Sequence, residues 1–530
     1  METAAELLQQ ADRQHQKRDR AQAVVLYRQA LQRDPALFEA WYGLGCALAG
    51  QGAHAAAAEA LRQAVALRPD AAGARCNLAE ALFQLGEVDA AVAEYRQACG
   101  SGDPEVAAVA SAALACIAPG AADLDNAAVL GLRRCWIATV GRGIRPMPPA
   151  TIQTGRKLRV GYVSAFFGDR NWMKPVWGLI NRHDRARFEI HLLSDGSDPS
   201  SASGYIDHPD DRIWQVDGVS NAELARHVRQ AGLDVLVDLN GYSRQGRLPL
   251  FLHRPAPRQI AWFNTYATTG MDAFDLLVGD AAVLPPEEET YYSERIARVP
   301  GSYLAFEVRY PVPEVGPPPI LRNLYPTFGC LGSAYKLVPA VIAAWSLILR
   351  AVPEARLLLR NRTLDDASNR AALVARFDRE GVPADRLTLL GAAEHFAFLR
   401  TYEQVDIALD TFPYNGGTTT SEALWQGVPV LGFNGDRWVA RTSRSLLLAA
   451  GLDDWVAPDA AAYVETAIRL ARQADLPARL AALRQGMRAR LAASAACDSQ
   501  ALCHAMEAIY LARDVAGRGA QAGSFPPAEP

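Results

Sequence analysis

The sequence predicts an all-α solenoid followed by an α/β unit of two Rossmann-like lobes. Three observations predict it. Small residues recur every 34 positions over the first hundred residues, and short apolar runs alternate with amphipathic helical segments from Leu158 onward. A proline-rich stretch, Pro311 to Pro319, divides that alternation into two series.

In the first part, Ala11, Gly45 and Ala79 hold equivalent places, as do Ala23, Ala57 and Ala91, and Ala30, Ala64 and Ala98, each 34 residues apart. A bulky residue stands between the second and third small positions (Tyr27, Leu61, Tyr95), and Trp41 and Leu44 precede the glycine of the middle repeat. Antiparallel helices approach closely only where side chains are small, while large ones fill the gap to the next pair. The pattern resembles the tetratricopeptide repeat. The third copy ends out of phase at Gly100, Gly102 and Pro104, and alanine-rich residues 105–140 are expected to cap the stack. Residues 1–140 are therefore read as repeats plus a helical cap. Such a stack is a binding surface, so the expected partner is a protein acceptor or client along its concave face, with formation of a homo-oligomer left open.

After the proline-containing linker Arg145 to Pro149, LRVGYVS (158–164), FEIHLLS (188–194) and LDVLVDL (233–239) read as strands, the last preceded by the helical segment NAELARHVRQAG. A second series follows at 326–332, 355–360, 386–391, 405–410 and 428–433. Apolar strands with helical crossovers predict parallel sheets covered on both faces. The division is a first lobe over 150–312, a second over 320–515 with a helical end from 460 to 513, and a disordered tail over 516–530.

Composition narrows the function. A net charge of −4 with 21% charged residues lacks the basic field of a nucleic-acid binder. Eight cysteines stand singly without a CxxC pair and nine histidines form no ligand-spaced cluster, so neither a disulfide framework nor structural zinc is expected. The polar N-terminus is unlike a signal peptide and no apolar run approaches bilayer length, which predicts a cytoplasmic protein without a membrane span.

The most informative segment is DTFPYNGGTTTSEALWQGVP, 410–429. It follows a strand, where open α/β sheets bind ligands. Gly416 and Gly417, next to Asn415, permit close backbone approach. Thr418, Thr419 and Thr420 offer hydroxyls and amides at the start of a helix whose positive end favours a diphosphate. Glu422 is placed to accept hydrogen bonds from a ribose. Alone, the same residues describe a glycine-rich turn with a threonine N-cap.

This segment resembles the family-41 glycosyltransferases, the O-linked N-acetylglucosamine transferases and their bacterial relatives. Supporting stretches are RPAPRQIAW (254–262), DLNGYSRQGR (238–247), YSER (292–295) and GDRWVAR (435–441). The resemblance implies a GT-B arrangement and an inverting transfer of N-acetylglucosamine, or a related hexose, from a UDP-sugar to Ser or Thr of a protein. It implies that Lys336, in Ala334-Tyr-Lys336, neutralises the departing diphosphate, and it extends the donor contacts to Ala393, His395 and Phe398. No cofactor and no metal are implied, the UDP-sugar being a co-substrate, and no DxD-like carboxylate cluster stands in a suitable loop.

Departures from the family bear on activity. The loop after the first strand, Ser164 to Asn171, lacks the family's histidine, which leaves Asp169 or the donor's phosphate as proton acceptors. The GYPGT-like loop reads NTYATTG, 264–270, and Phe398 replaces a histidine expected to stack on uracil, a place an aromatic ring can still fill. Gly332-Ser333 replaces an amide pair before the lysine segment. The alternatives are another nucleotide-sugar donor or an asparagine acceptor on the same fold, and a repeat scaffold that has lost catalysis.

Overall fold

The computed structural model describes residues 2–168, 173–201 and 204–512. Asp169 and the tail 516–530 lie outside the described residues.

The solenoid is four antiparallel helix pairs: Ala4–Gln16 with Arg20–Arg33, Phe38–Gly50 with His54–Leu67, Ala72–Gln84 with Val88–Cys99, and Pro104–Ile117 with Asn126–Val140. The repeated alanines at positions 11, 23, 30, 57, 64, 79, 91 and 98 are all fully buried, and Tyr27, Leu61 and Tyr95 fill the spaces beside them. The capping region thus supplies a fourth pair in the same style. Polar caps set its starts: Asp103 accepts the N–H groups of Glu105 and Val106, and Asp125 that of Ala128.

The first lobe is a seven-stranded parallel sheet of β1 Leu158–Ser164, β2 Phe188–Ser194, β3 Arg212–Gln215, β4 Val235–Asp238, β5 Arg258–Ala261, β6 Leu276–Gly279 and β7 Arg295–Arg298, in the order β3-β2-β1-β4-β5-β6-β7. The second lobe is a six-stranded parallel sheet of β8 Thr327–Cys330, β9 Arg356–Arg360, β10 Leu387–Leu390, β11 Ile407–Leu409, β12 Val430–Phe433 and β13 Val456–Ala457, in the order β10-β9-β8-β11-β12-β13. Each sheet reverses its strand order once, between β1 and β4 and between β8 and β11. Ligand crevices open at the carboxyl ends of strands beside such reversals.

One placement differs from the sequence division. The last helix, Ser499–Leu511, falls within the second lobe by the sequence division, but its apolar face (Leu502, Cys503, Met506, Ile509, Tyr510) lies in the core of the first. A polar relay holds it there. The Tyr510 and Tyr162 hydroxyls are 2.9 Å apart, the Tyr162 hydroxyl lies 2.6 Å from His183 Nε2, and His183 Nδ1 lies 2.9 Å from Glu507 Oε1. Folding also brings Cys503 to this point, so that ligand-type atoms of His183, Cys503 and Glu507 lie within 4.8 Å of one another. Sequence spacing concealed this cluster because His183 is 320 residues from Cys503.

The solenoid is seated on the second lobe. Asn369 donates from Nδ2 to the Gly52 carbonyl (2.7 Å) and accepts the Ala55 N–H at Oδ1 (2.9 Å). Arg376 joins the carbonyls of Leu85 (2.7 Å) and Leu337 (2.6 Å). Gly86, with φ +82°, lies so close that a β-carbon there would stand 2.5 Å from the Leu337 carbonyl oxygen. No helix among the described residues is long and apolar enough to cross a membrane.

Candidate active site

The chain leaves β11 at Asp410, whose buried carboxylate folds the next residues back on themselves. Asp410 Oδ1 accepts the N–H groups of Thr411 (2.9 Å) and Gly416 (2.8 Å). Burial pushes this carboxyl up to about 6. Asn415 closes the turn, donating from Nδ2 to the Thr411 carbonyl at 2.7 Å and from its backbone N–H to Val439 at 2.9 Å. Gly416 is required by close approach: a β-carbon there would stand 2.6 Å from Thr420 Oγ1 and 2.8 Å from Thr419 Oγ1.

The helix Thr418–Trp425 then begins with Gly417 as its N-cap, and no described side chain caps it. This separates the two meanings of the motif. A threonine N-cap would have satisfied the first-turn amides internally; with a glycine in that place, they receive no such partner. Thr418, Thr419 and Thr420 all lie in the first turn, the last of them buried. The arrangement is one that can receive an anion.

Lys336 comes to the same turn from a 3₁₀ segment, Ala334–Lys336. Its Nζ donates to the Asn415 carbonyl at 2.7 Å and lies 4.4 Å from the centre of the Tyr414 ring. Burial lowers its pKa to about 8, so an added negative charge there would restore the ammonium's electrostatic balance. Tyr414 also meets Tyr266 of the first lobe, with ring centres 5.6 Å apart, and Tyr335 at 5.7 Å. Three stretches singled out in the sequence (264–270, 334–336 and 410–429) therefore converge on Tyr414, which sequence reading did not single out.

The threonines of the loop 264–270 are turned inward onto Glu294. The Thr268 hydroxyl donates to Glu294 Oε2 at 2.8 Å, and Thr269 donates to Oε1 from both its hydroxyl and its N–H. Arg133 of the capping helices supports the loop from beneath through the carbonyls of Thr265 (3.2 Å) and Thr268 (2.6 Å). These side chains are buried and committed to holding the loop.

Glu422 is buried, and its Oε1 accepts from Lys174 Nζ of the first lobe (2.5 Å) and lies 2.8 Å from His395 Nε2. Lys174 belongs to the helix Lys174–Ile180 and was missed in the sequence. Its signal was a single charge in the apolar run MKPVWGLI, 173–180. Phe398 lines a cleft of about 760 Å³ with Gly332, Ser333, Tyr335 and, from the solenoid, Phe83. Ala393 is exposed on the preceding loop.

Comparison with known proteins places the repeats and the two lobes in known families. Residues 130–314 and 324–506 match the family model described as glycosyl transferase family 41, and residues 8–71 and 45–106 match a tetratricopeptide repeat model. The chain is 30% identical over 366 residues to a tomato (Solanum lycopersicum) protein described as a probable UDP-N-acetylglucosamine–peptide N-acetylglucosaminyltransferase, SPINDLY, with 67% of this chain and 38% of that protein covered. It is 23% identical over 474 residues to the Caenorhabditis elegans UDP-N-acetylglucosamine–peptide N-acetylglucosaminyltransferase, covering 67% of this chain and 41% of the relative. The chain thus spans about two fifths of the length of these curated relatives. Among solved structures it is similar to a mutant O-GlcNAc transferase of Thermobaculum terrenum, at 31% identity and a TM-score of 0.79, with 97% of this chain and 98% of the other covered.

Proposed function

The chain belongs to glycosyl transferase family 41, and from that premise we propose that it is an inverting protein glycosyltransferase, moving N-acetylglucosamine or a related hexose from a UDP-sugar to Ser or Thr hydroxyls. The observation that carries this reading is the junction of Lys336 with the turn Asn415–Gly417, where an ammonium group meets an uncapped helix start. A nucleoside diphosphate has the charge and the acceptor oxygens that this junction lacks.

In the reaction, the acceptor hydroxyl oxygen forms a bond to the sugar's anomeric carbon as the bond from that carbon to the diphosphate oxygen breaks. The bonding pair leaves on the diphosphate. Lys336 and the first-turn amides of the helix Thr418–Trp425 stabilise that charge as it develops, which is where fixed donors accelerate a reaction most. Gly416 and Asp410 keep the amides in place. Glu422 takes a ribose hydroxyl, and the Phe398 ring offers the base a face to stack on. The hydroxyl's proton passes to the donor's own phosphate or to a group outside the described residues. We further propose that the repeats present the protein acceptor and that the lobes divide as 150–312 and 320–515, apart from the last helix.

Thermal shift against UDP- and GDP-sugars tests the donor: a ligand at 100 times its Kd stabilises by about 2.7 kcal/mol. Intact-mass analysis of proteins from cells with and without the chain tests the transfer and identifies sugar and acceptor together. A second donor, such as a GDP-hexose, is favoured by Phe398 and by the altered 264–270 loop, and the same shift series separates it. UDP-dependent glycosylation of any cellular protein rejects the scaffold reading.

A further inference from the structure

We propose that Lys174 is a positioning residue for the nucleotide's ribose, holding Glu422 from the opposite lobe so that the sugar-reading carboxylate is assembled only when the two lobes are together. The inference rests on the nucleotide-site reading above and adds to it a residue of the first lobe. Lys174 and Glu422 are 248 residues apart in the chain and belong to different sheets' flanking helices, yet they meet at 2.5 Å with side chains only 5% and 3% exposed. Their contact is a buried ion pair between the lobes.

The local geometry is a closed triangle. Lys174 Nζ lies 2.5 Å from Glu422 Oε1 and 3.2 Å from His395 Nε2, and His395 Nε2 lies 2.8 Å from the same Glu422 oxygen. Tyr310, on the strand of chain that joins the lobes, covers the triangle with its ring centre 4.1 Å from Lys174 Nζ and 4.9 Å from the His395 ring. Both donors use Oε1. Among the described residues none donates to Oε2.

A carboxylate held through one oxygen keeps the lone pairs of the other for a ligand hydroxyl. The nearby ammonium also offsets the cost of burying the carboxylate's charge. The matching ligand chemistry is a vicinal diol carried by a nucleoside diphosphate. A carboxylate-bonded hydroxyl is worth about tenfold or more in affinity.

The test is calorimetry on the full chain with UDP and 2′-deoxy-UDP, and with GDP and 2′-deoxy-GDP in parallel, for the wild type, Lys174→Met, Lys174→Arg, Glu422→Gln and the Lys174→Met/Glu422→Gln double variant. The wild type is expected to prefer a ribonucleotide to its deoxy form by about tenfold. Lys174→Met is expected to weaken the ribonucleotide by a similar factor while leaving the deoxynucleotide unchanged. Lys174→Arg should recover part of the preference, and the double variant should be no worse than either single one, as coupled partners are. Equal weakening of ribo and deoxy forms in Lys174→Met, or an unaltered preference, overturns the role assigned to Lys174. A retained preference in Glu422→Gln overturns it from the other side even if Lys174→Met folds poorly. A wild type that binds no nucleoside diphosphate at all brings down the nucleotide-site reading itself, a result distinct from either.

Discussion

Phe83, in the third repeat, stacks on Tyr335, the residue before Lys336, with ring centres 4.9 Å apart and planes inclined by 16°. The solenoid therefore supports the wall of the cleft beside the segment that carries Lys336. Phe83→Ala removes a stacked pair worth about 0.5–1.5 kcal/mol and leaves Tyr335 free to shift. The expected outcome is a fall of about 3- to 10-fold in kcat/KM with the repeats still folded, checked by steady-state transfer assays alongside helical circular dichroism.

Lys336→Ala is expected to lower kcat by about 100-fold or more, since a fixed donor to developing charge is lost, with a smaller effect on nucleotide affinity. The pH profile gives an independent check. The ammonium is the active form, and burial lowers its pKa to about 8 in the free protein. The profile of kcat/KM should thus fall as pH rises through about 8, whereas the limb in kcat should lie at higher pH because bound diphosphate favours the charged lysine. A kcat/KM flat to pH 9.5 would contradict this.

Gly416→Ala places a methyl group where the Thr419 and Thr420 hydroxyl oxygens already stand, 2.8 and 2.6 Å from it. One of them must move, and the first helical turn with it. Nucleotide affinity is expected to weaken about tenfold or more, while the melting temperature changes little. Titration of the variant with UDP checks both halves of that statement.

Acid stability has a specific contributor in the relay under the last helix. Burial holds His183 below the usual histidine range, so the unfolded chain binds a proton near pH 6.5 that the folded chain does not. This contribution is lost as pH falls through that region. Burial also raises the Glu507 carboxyl, but hydrogen bonds from His183 and the Asp184 N–H outweigh it and keep the group below the ordinary range, so its share is lost at lower pH still. Asp238, Asp406 and Asp410, pushed up to about 6 by burial, act with the opposite sign between about pH 4 and 6. A difference measurement removes them. His183→Asn should cost about 2–4 kcal/mol at pH 7.5, and the gap from the wild type should narrow by pH 5.5 in parallel thermal melts.

Much of the fold is legible in the sequence, for physical reasons that differ between parts. The repeats are legible because packing at the crossing points demands small residues at a fixed interval, and β1 and β2 because their largely apolar runs are short and set between helical segments. Strands β5, β6 and β7 go unread in the sequence, although QIA in β5 and LLVG in β6 carry an apolar signal, because no strong helical segment stands between them to mark them off. The glycine–threonine turn and Lys336 are legible through the family resemblance. What the sequence conceals are contacts made across long separations: Lys174 with Glu422, Tyr266 with Tyr414, and Cys503 with His183. Nothing in spacing reports these, because they arise only after two sheets and a solenoid have been brought together. The N-cap is the finest example. Three consecutive threonines read as caps, yet the backbone turns one residue earlier, at Gly417.

The left-handed backbone at Gly86, pressed against the carbonyl of Leu337, bears on how this protein can be rebuilt. A chimera that exchanged its front repeats for a foreign array would need a residue without a side chain at that one location, or the two halves would be wedged apart beside Lys336. The repeats are thus not a freely interchangeable cassette here, and their concave face is better altered by substitutions within it than by replacing the stack.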